Sequence, residues 1–209
     1  MKPQVDPAHY QRLSYDSKSR FISYWHQIDE VLSIRPRNML EIGIGNGFVS
    51  SYLKSKGIHV TNLDIDERLK PEVAGSVLAI PFLEKSFQLL ACFELLEHLP
   101  YKCFPAALKE LNRVSEKHVL LSLPDVTTVY RFNIELPKLK PIKWLICHPR
   151  HRPANHCFEG QHYWEIGGKG FPLNKIKTDI ICSGFNIIKT YRVFEFYYHR
   201  FFLLKKSEV

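Results

Sequence analysis

The sequence predicts an α/β fold, a doubly wound domain whose sheet of about seven strands is mostly parallel. Between residues 37 and 124, short apolar runs alternate with segments of helical periodicity, which is the pattern of consecutive βαβ units. Residues 185–193 and 197–204 are β-rich and separated by a gap of turn length, so they predict an antiparallel hairpin at the C-terminal edge of the sheet. The 209 residues fit one domain, and we expect residues 1–209 to fold as a unit.

The N-terminal segment, residues 1–36, is expected to be helical. Asp16 or Ser17 is placed to cap a helix over residues 15–32. An apolar stripe at helical spacing supports this helix, and its members are Phe21, Tyr24, Trp25, Ile28, Val31 and Leu32.

Residues 37–124 contain the βαβ pattern itself. The apolar run at 38–42 predicts a buried strand, and a helical pattern follows from Phe48 until Gly57 ends it. The near-continuous apolar run at 86–93 is typical of a strand covered on both faces. Further strands are predicted at 58–63, ending in Asp64, and at 118–123, closed by Pro124, with a helix at about 102–113.

The regular pattern breaks at residues 125–171, which are rich in proline, histidine and aromatic residues and have no sustained period. Because long irregular stretches within compact domains are usually functional, we interpret this one as a lid or binding loop on the substrate side. Residues 172–209 return to a regular pattern, with a helical apolar face over 173–181 followed by the closing hairpin.

Composition excludes several classes of protein. Hydrophobic residues make up 45% and charged residues 24%, which excludes disordered, collagen-like and coiled-coil chains. No run approaches the roughly 20 apolar residues of a membrane span, and the N-terminus has no apolar core of signal-peptide length. The five cysteines are scattered and form no CxxC pair, which is typical of reduced thiols. We therefore expect a cytoplasmic protein.

The formal net charge of +8 is concentrated in residues 125–209, which hold 14 Lys and Arg against 7 Asp and Glu. A basic excess of this kind either attracts an anionic partner or keeps the protein in solution.

A glycine cluster follows the first predicted strand, where the chain reads Glu-Ile-Gly-Ile-Gly-Asn-Gly from Glu41 to Gly47. Glycines here allow a sharp turn and let a ligand lie against the backbone. The dinucleotide fingerprint G-x-G-x-x-G would need glycine where Phe48 stands, which disfavours an NAD-dependent oxidoreductase. Asp64 ends the next strand, twenty-one residues after Gly43, where it can accept hydrogen bonds from both ribose hydroxyls. A nucleoside ligand is expected.

The order and spacing of five segments resemble class I S-adenosylmethionine-dependent methyltransferases of the methyltransferase-11/23 type, which are Rossmann-like. The resemblance covers about residues 38–124 by motif, and the closing helix and hairpin fit the antiparallel edge of that fold. The five segments are the glycine motif at 40–47, the ribose-binding segment at 60–66, the adenine-lining segment at 75–82, the fourth strand and the helix after it at 87–99, and the fifth strand at 121–124.

The resemblance implies S-adenosylmethionine as cofactor and assigns residues to it. Glu41 would fix the glycine turn and reach the amino group directly or through water, and Asp64 would bind the ribose. Phe82 would contact the adenine together with its neighbours, and Leu95 would lie under the transferred methyl group. The cofactor-binding residues that the resemblance implies are Glu41, Gly43, Gly45, Gly47, Asp64, Ile65, Ala79, Ile80, Phe93 and Glu94.

Two positions depart from the family pattern. Ser76 stands where members often have an aspartate that bonds the adenine amine, which weakens one adenine contact. Gln88 stands where an aspartate often follows the phenylalanine, and we expect it to lie at a strand end. Neither departure removes the glycine turn or Asp64.

Glu94, Glu97 and His98 form an ExxEH pattern at positions i, i+3 and i+4. On a helix these side chains would share one face and could hold a divalent cation. The pattern resembles metal-assisted O-methyltransferases of quinone biosynthesis and those acting on small RNA ends. It also resembles members with no metal, in which Glu94 would lie near the cofactor and the histidine would order the loop.

Residues 160–167 resemble a substrate-side segment of a bacterial subgroup of these enzymes. The segment contains His162, and imidazole can act as a general base near neutral pH. His162 is therefore the first candidate for deprotonating an acceptor hydroxyl, with His98 as a second candidate catalytic residue. The alternative for His162 is a hydrogen bond to backbone that shapes the loop.

A zinc site is disfavoured in this region, because no cysteine pair has C-x₂₋₄-C spacing and prolines interrupt the chain. The residues considered were Cys147, His148, His151, His156, Cys157 and His162.

We expect the chain to transfer a methyl group from S-adenosylmethionine to an oxygen or nitrogen nucleophile on a small-molecule acceptor, including an anionic one. Basic and aromatic residues interleave between residues 130 and 152, so an RNA methyltransferase is one alternative. A non-catalytic domain that binds S-adenosylmethionine is the other.

Overall fold

The structure, a computed structural model, describes residues 5–149, 152–154, 158 and 160–207. Within these ranges the strands are β1 (Asn38–Ile42), β2 (His59–Asp64), β3 (Val73–Ala74), β4 (Phe87–Phe93), β5 (Ser115–Pro124), β6 (Val129–Ile134), β7 (Ile142–Cys147), β8 (Phe185–Arg192) and β9 (His199–Lys206). The helices are α1 (Pro7–Tyr10), α2 (Lys18–Ile34), α3 (Phe48–Ser55), α4 (Phe104–Val114) and α5 (Leu173–Cys182).

Seven strands form one sheet in the order β3-β2-β1-β4-β5-β9-β8. Strands β1 to β5 pair in parallel, and β9 pairs antiparallel with both β5 and β8. The predicted doubly wound, mostly parallel sheet with an antiparallel C-terminal edge is therefore confirmed. The strand order reverses between β1 and β4, and doubly wound sheets bind ligands at the carboxyl ends of the strands beside such a reversal.

Alternation along β1 fixes which side chains face which layer. Leu40 and Ile42 pack on one face of the sheet, in the same apolar cluster as residues of α4 and α5. Met39 packs on the other face with residues of α2 and α3. Burial of each such side chain contributes about 1.5–3 kcal/mol. Because successive strand residues alternate, Glu41 lies on the same side as Met39 and is carried into the interior.

Helix α2 begins as predicted, because the hydroxyl oxygen of Ser17 accepts the backbone N–H of Arg20 at 3.3 Å. The predicted apolar stripe is wrong at two positions. Phe21 is 47% and Trp25 60% exposed, since the helix packs on the sheet through the face that carries Val31.

Residues 125–171 were predicted to be irregular, and the structure corrects this. Strands β6 and β7 pair antiparallel from Val129 with Cys147 to Ile134 with Ile142, as a separate two-stranded sheet. Pro137 lies in the connection between these strands, so it marks a turn rather than the absence of strands.

Candidate functional site

A cavity opens at the carboxyl ends of β1, β2 and β4, where the strand order reverses. Its walls are contributed by six stretches of chain, which are residues 5–27, 41–49, 63–77, 93–99, 161–162 and 198–199. The segments predicted for the cofactor and those predicted for the acceptor therefore face one space.

The glycine turn brings backbone to the cavity wall. Gly43 has φ +86°, a backbone conformation that favours glycine, and a Cβ on it would also lie 2.5 Å from Cδ1 of Leu95, whose side chain would have to move. Gly45 also lines the cavity, whereas Gly47 caps helix α3 just behind it. Gly47 does not line the cavity, and its cofactor role stays a prediction.

Asp64 joins the end of β2 to the glycine turn. Its Oδ2 accepts the backbone N–H of Ile44 at 2.9 Å, and its Oδ1 accepts that of Asp66 at 2.8 Å. A carboxylate oxygen can accept a second hydrogen bond, so both oxygens retain capacity for a diol. Burial raises the pKa of Asp64, and the two backbone N–H groups oppose that rise. Ile65, the next predicted residue, lines the cavity beside it.

Glu41 is a buried acid at the cavity wall. It is 4% exposed, and its Oε2 has no hydrogen-bond partner among the residues that the structure describes. Burial raises the pKa of Glu41 to about 8, and the neighbouring hydroxyl of Ser50 offsets this only in part. An unpartnered acid of this kind is suited to receive a ligand cation.

Two residues predicted for the adenine side lie away from the cavity lining, and their contact with the cofactor stays a prediction. Ala79 is exposed and Ile80 is buried with its N–H bound by Glu110, and neither lines the cavity. Ser76 and Val77 line it instead. The chain turns away between Ser76 and Ala79, which form an isolated bridge, so the backbone facing the cavity lies a few residues earlier than predicted.

Gln88 lies at the amino end of β4, where its side-chain oxygen accepts the N–H of Arg37 at 2.8 Å. The structure thus places Gln88 at a strand end, as predicted, and away from the residues that line the cavity.

An aromatic N-terminal wall was missed by sequence reasoning. Tyr10 and Tyr15 pack edge to face with ring centroids 5.2 Å apart, and a Cβ placed on Gly45 would lie 3.8 Å from the ring of Tyr10 and 3.9 Å from the hydroxyl of Tyr15. Burial, followed by the neighbouring charges of Tyr15 and Asp64, raises the pKa of Tyr10 to about 12. This wall closes the cavity over the glycine turn.

Arg20 is a cation in the same wall that sequence reasoning also missed. Its guanidinium carbon lies 4.2 Å from the ring centroid of Tyr15. Among the residues described in the structure, no carboxylate oxygen lies within 4 Å of its nitrogens. Its position at helical spacing before the first strand gave no signal that it would turn inward.

Glu94 directly follows Phe93 at the end of β4, and both line the cavity, while their contact with the cofactor stays a prediction. The Oε2 of Glu94 is 3.3 Å from Nε2 of His199, whose Nδ1 is 2.7 Å from the hydroxyl of Ser23. Burial raises the pKa of Glu94 to about 7 and lowers the pKa of His199 to about 3, so His199 is neutral at physiological pH. His199 was missed because residues 197–204 signalled only a strand of the closing hairpin.

The predicted helical ExxEH face is not formed. Glu94 has φ +47° and ends the strand segment, and Leu96–His98 form a single 3₁₀ turn. The acids and imidazoles that do converge are Glu97, His98 and His162, whose ligand atoms lie within 4.8 Å of one another. This group could hold a divalent cation with His162 in the place that the prediction gave to Glu94.

Both carboxylate oxygens of Glu97 are buried, and its carboxyl group interacts directly with that of Glu94. Burial and then the charge of Glu94 raise the pKa of Glu97 well above its usual range. Burial, with the neighbouring His162, lowers the pKa of His98 to about 4, and Nδ1 of His98 lies 3.1 Å from the carbonyl oxygen of Gln161. Burial therefore favours the protonated form of Glu97, and His98 is neutral near pH 7.

His162 is held by a carboxylate, as general bases commonly are. Its Nδ1 lies 2.8 Å from Oε1 of Glu165 and 3.3 Å from the hydroxyl of Tyr198, which also donates to Glu165. His162 and His98 pack edge to face with centroids 4.9 Å apart. The structure thus brings both candidate catalytic histidines to the wall opposite the glycine turn.

The disfavoured zinc interpretation is tested only in part. Cys147 and His148 lie at the end of β7, and neither belongs to the metal-capable group found among the described residues. His151, His156 and Cys157 lie outside the described residues.

Sequence comparison finds that residues 40–123 match the family model described as a methyltransferase domain. These residues run from β1 to the end of β5. No curated protein matches the chain significantly.

Three solved structures illustrate the structural likeness. PH0226 protein from Pyrococcus horikoshii OT3 has a TM-score of 0.62 at 13% identity, covering 97% of this chain and 100% of that one. Magnesium protoporphyrin IX methyltransferase from Synechocystis PCC 6803, with bound SAH, has a TM-score of 0.59 at 14% identity. The match covers 90% of this chain and 84% of that one. The 1,6-didemethyltoxoflavin-N1-methyltransferase of Burkholderia thailandensis, with bound 1,6-didemethyltoxoflavin and S-adenosylhomocysteine, has a TM-score of 0.57 at 14% identity. The match covers 100% of this chain and 93% of that one. At these identities the likeness establishes the fold.

Within the described part of the chain, every helix is too short or too polar to cross a bilayer.

Proposed function

Since the chain has the class I methyltransferase fold and a methyltransferase domain over residues 40–123, we propose that it moves a methyl group from S-adenosylmethionine to an oxygen or nitrogen nucleophile of a small molecule. The observation that carries the proposal is the single cavity. It joins the glycine turn, Glu41 and Asp64 at one wall to the imidazoles of His98 and His162 at the other.

The cofactor wall fits S-adenosylmethionine on observations of this chain. Glu41 offers its unpartnered oxygen to the ammonium group, and Asp64 has acceptor capacity for the ribose diol. The backbone at Ser76 and Val77 receives the adenine edge. When bound, this cofactor supplies a methyl group activated on a sulfonium. The two methyltransferases compared above were solved with SAH or S-adenosylhomocysteine, which supports the assignment.

Arg20 is the cation that would bind a carboxylate at this cavity, and we assign it to the carboxylate of the methionine portion. Its position beside Tyr15, over the glycine turn, supports that assignment. A guanidinium can hold a carboxylate through two parallel hydrogen bonds, which fixes the orientation of the group as well as binding it.

The acceptor wall would align the nucleophile and remove its proton. Holding reactants in line can supply several kcal/mol of the barrier without a reactive side chain. As an acceptor hydroxyl bonds to the methyl carbon, its proton would pass to the imidazole of His162, and Glu165 would stabilise the imidazolium that forms. The compared enzymes named for magnesium protoporphyrin IX and 1,6-didemethyltoxoflavin act on small molecules, which supports an acceptor of that class.

Calorimetric titration with S-adenosylmethionine and with NAD, at one fixed salt concentration, tests the cofactor. We expect micromolar binding of S-adenosylmethionine and none of NAD. No binding of S-adenosylmethionine would overturn the proposal, and binding without turnover on any acceptor would support the non-catalytic alternative instead.

Decarboxylated S-adenosylmethionine, which lacks the carboxylate, tests whether Arg20 binds the cofactor or the acceptor. We expect Arg20→Met to weaken binding of S-adenosylmethionine at least tenfold and binding of the decarboxylated analogue less than twofold. Lys18→Met, an exposed change at the start of the same helix, is the matched control. An unchanged affinity for both ligands with a raised KM for the acceptor would reassign Arg20 to the acceptor.

The role of His162 is tested by turnover. We expect His162→Gln to lower kcat about 100-fold or more and to leave the affinity for S-adenosylmethionine unchanged, because the base acts only on the acceptor. His59→Gln, an exposed change on β2, is the control. Unchanged turnover in His162→Gln would leave His162 with a role in loop structure.

Turnover measured in the presence of EDTA tests whether His162 acts as a base or as a metal ligand. If His162 is the base, turnover persists in EDTA. Loss of turnover in EDTA that Mg²⁺ restores would reassign His162, with Glu97 and His98, to a cation site.

A further inference from the structure

Strands β6 and β7 form a hairpin outside the seven-stranded sheet, and its two faces differ in chemistry. Residues directly opposite in an antiparallel pair share a face, so the register fixes the composition of each. Tyr130 pairs with Ile146, Phe132 with Trp144 and Ile134 with Ile142. We call these six side chains the apolar face of the hairpin. The other face carries the charged or polar side chains of Arg131, Asn133 and Lys143 together with Val129, Leu145 and Cys147.

The apolar face has no cover within the described residues. Each of its six side chains is between 43% and 55% exposed, and Leu136 and Leu139 in the connecting turn are 52% and 64% exposed. Large apolar side chains exposed side by side on one face differ from the singly scattered surface hydrophobics of a typical monomer. A surface of this kind indicates a partner.

The opposite face is fixed to the body of the protein. Nζ of Lys143 lies 2.6 Å from Oε1 of Glu195, and the guanidinium carbon of Arg131 lies 5.4 Å from the ring centroid of Tyr197. Both partners belong to the turn between β8 and β9. Because the contacts with the β8–β9 turn are made from this face, the apolar face is directed away from that turn.

The positive charges beside the apolar face indicate an anionic partner. Lys138 and Lys140 flank Leu139 in the turn, and residues 129–149 contain four Lys and Arg against one acid, Glu135. A second copy of this chain would bring like-charged turns together. Anionic lipid headgroups would neutralise them, while lysine stems extend along the apolar surface and Trp144 and Tyr130 lie at the headgroup boundary.

We propose that the β6–β7 hairpin docks this protein on the surface of an anionic lipid bilayer, with its apolar face and turn inserted at the headgroup boundary. The docking is peripheral and needs no spanning helix. It does not depend on the proposed methyl transfer, because the contacts involve no residue of the cavity.

Flotation of the full chain with lipid vesicles tests the proposal. One set contains only phosphatidylcholine and the other contains phosphatidylcholine with about one third phosphatidylglycerol. We expect binding to the anionic vesicles that weakens at least tenfold when salt rises from low to about 0.5 M, and little binding to the neutral set.

Two double variants separate the apolar from the electrostatic contribution. Phe132→Ser with Trp144→Ser, and Lys138→Glu with Lys140→Glu, are each expected to weaken binding at least tenfold. The controls are Leu83→Ser, at a side chain 82% exposed outside the hairpin, and Lys102→Glu with Lys109→Glu, which changes the net charge equally. Because the hairpin lies outside the main sheet, thermal unfolding should be unchanged in all four.

Trp144 reports insertion directly in a Trp25→Phe background, since Trp164 is fully buried. We expect its emission to shift to shorter wavelength on anionic vesicles and to be quenched by brominated acyl chains.

Three outcomes would overturn the proposal. The first is that the full chain fails to bind anionic vesicles at low salt. The second is a dimer in solution that the Phe132→Ser and Trp144→Ser variant converts to monomer, which would assign the face to a second copy. The third is salt-sensitive binding of single-stranded RNA that the same variant abolishes while vesicle binding persists.

Discussion

At the scale of single residues, Glu41 combines a cost to folding with a capacity for binding. Its carboxyl group is almost entirely removed from water, and burial raises its pKa to about 8. Near pH 7 the group is largely protonated in the free protein. A cation placed against it would favour ionisation, so ligand binding and proton release are coupled at this position.

Replacing Glu41 by Gln should therefore stabilise the free protein at high pH. An acid whose pKa rises from 4.5 unfolded to about 8 folded contributes stability that is full below about pH 4.5 and lost as pH rises through 8. We expect Glu41→Gln to raise the free energy of unfolding at pH 8.5 by about 1 kcal/mol or more, a Tm increase of roughly 2–4 °C per kcal/mol. The two proteins should converge near pH 4.5.

The same variant should bind S-adenosylmethionine at least tenfold more weakly, because the amide cannot become an anion. Glu67→Gln, at an exposed acid, is the matched control for both measurements. Parallel profiles of Tm against pH for Glu41→Gln and the unmodified chain would contradict this account.

Single residues of the cavity could be predicted only where backbone geometry demands a residue type. Gly43 and Asp64 were found because a glycine turn after a strand, and an acid at the end of the next strand, can be recognised from the sequence alone. Arg20 and His199 were not, because whether a long or aromatic side chain turns inward depends on packing between distant elements. Ala79 was misplaced because spacing does not report where a loop turns away.

At the scale of elements, the turn after β4 shows how a spacing argument fails. Positions i, i+3 and i+4 share a face only if the whole stretch is helical. Because Glu94 has a left-handed backbone and only a 3₁₀ turn follows it, the stretch is not a helix, and Glu97 and His98 converge with His162. Short turns of this kind carry no periodic signal.

The root of the β6–β7 hairpin is fixed by a buried ion network. Asp125 is fully buried, its Oδ2 accepts from Nε of Arg200 at 2.7 Å, and its Oδ1 accepts the N–H of Thr127 at 2.9 Å. Arg192 donates to the carbonyl oxygens of Thr127 and Asp125 at 2.7 and 2.8 Å. The network joins the end of β5 to the β8–β9 edge.

Asp125→Asn should leave two buried guanidinium groups without a counter-charge. We expect the free energy of unfolding to fall by about 3–5 kcal/mol, measured by urea denaturation at pH 7. Glu135→Gln, on the exposed arm of the hairpin, should change it by less than about 0.5 kcal/mol. A loss below about 1 kcal/mol in Asp125→Asn would show that water replaces the lost carboxylate.

At the scale of the whole molecule, the sheet order was predictable where long apolar runs alternate with helices. The hairpin β6–β7 was not, because prolines and lysines in its turn obscured strict alternation in the flanking strands. Strand β3 is only two residues long and gives no pattern of its own. Our division into four segments within one domain stays a prediction.

Strand β9 holds the two parts of the sheet together. Phe202 is fully buried and lies opposite Leu121 of β5 and Thr190 of β8. We expect Phe202→Ala to lower the free energy of unfolding by about 3–5 kcal/mol in one cooperative transition. Ile188→Ala, at a side chain 56% exposed on β8, is the control. A separate early transition in Phe202→Ala would mean that the β8–β9 edge unfolds alone.

The position of β9 also has a kinetic consequence. Strand β5 has its open edge covered only by residues that lie about 75 to 87 positions further along the chain, so a large loop must close before this pairing forms. Until then the unpaired edge of β5 and the apolar face of the hairpin are accessible together in a half-formed chain. Such a species is prone to self-association, and refolding yield should fall as protein concentration rises.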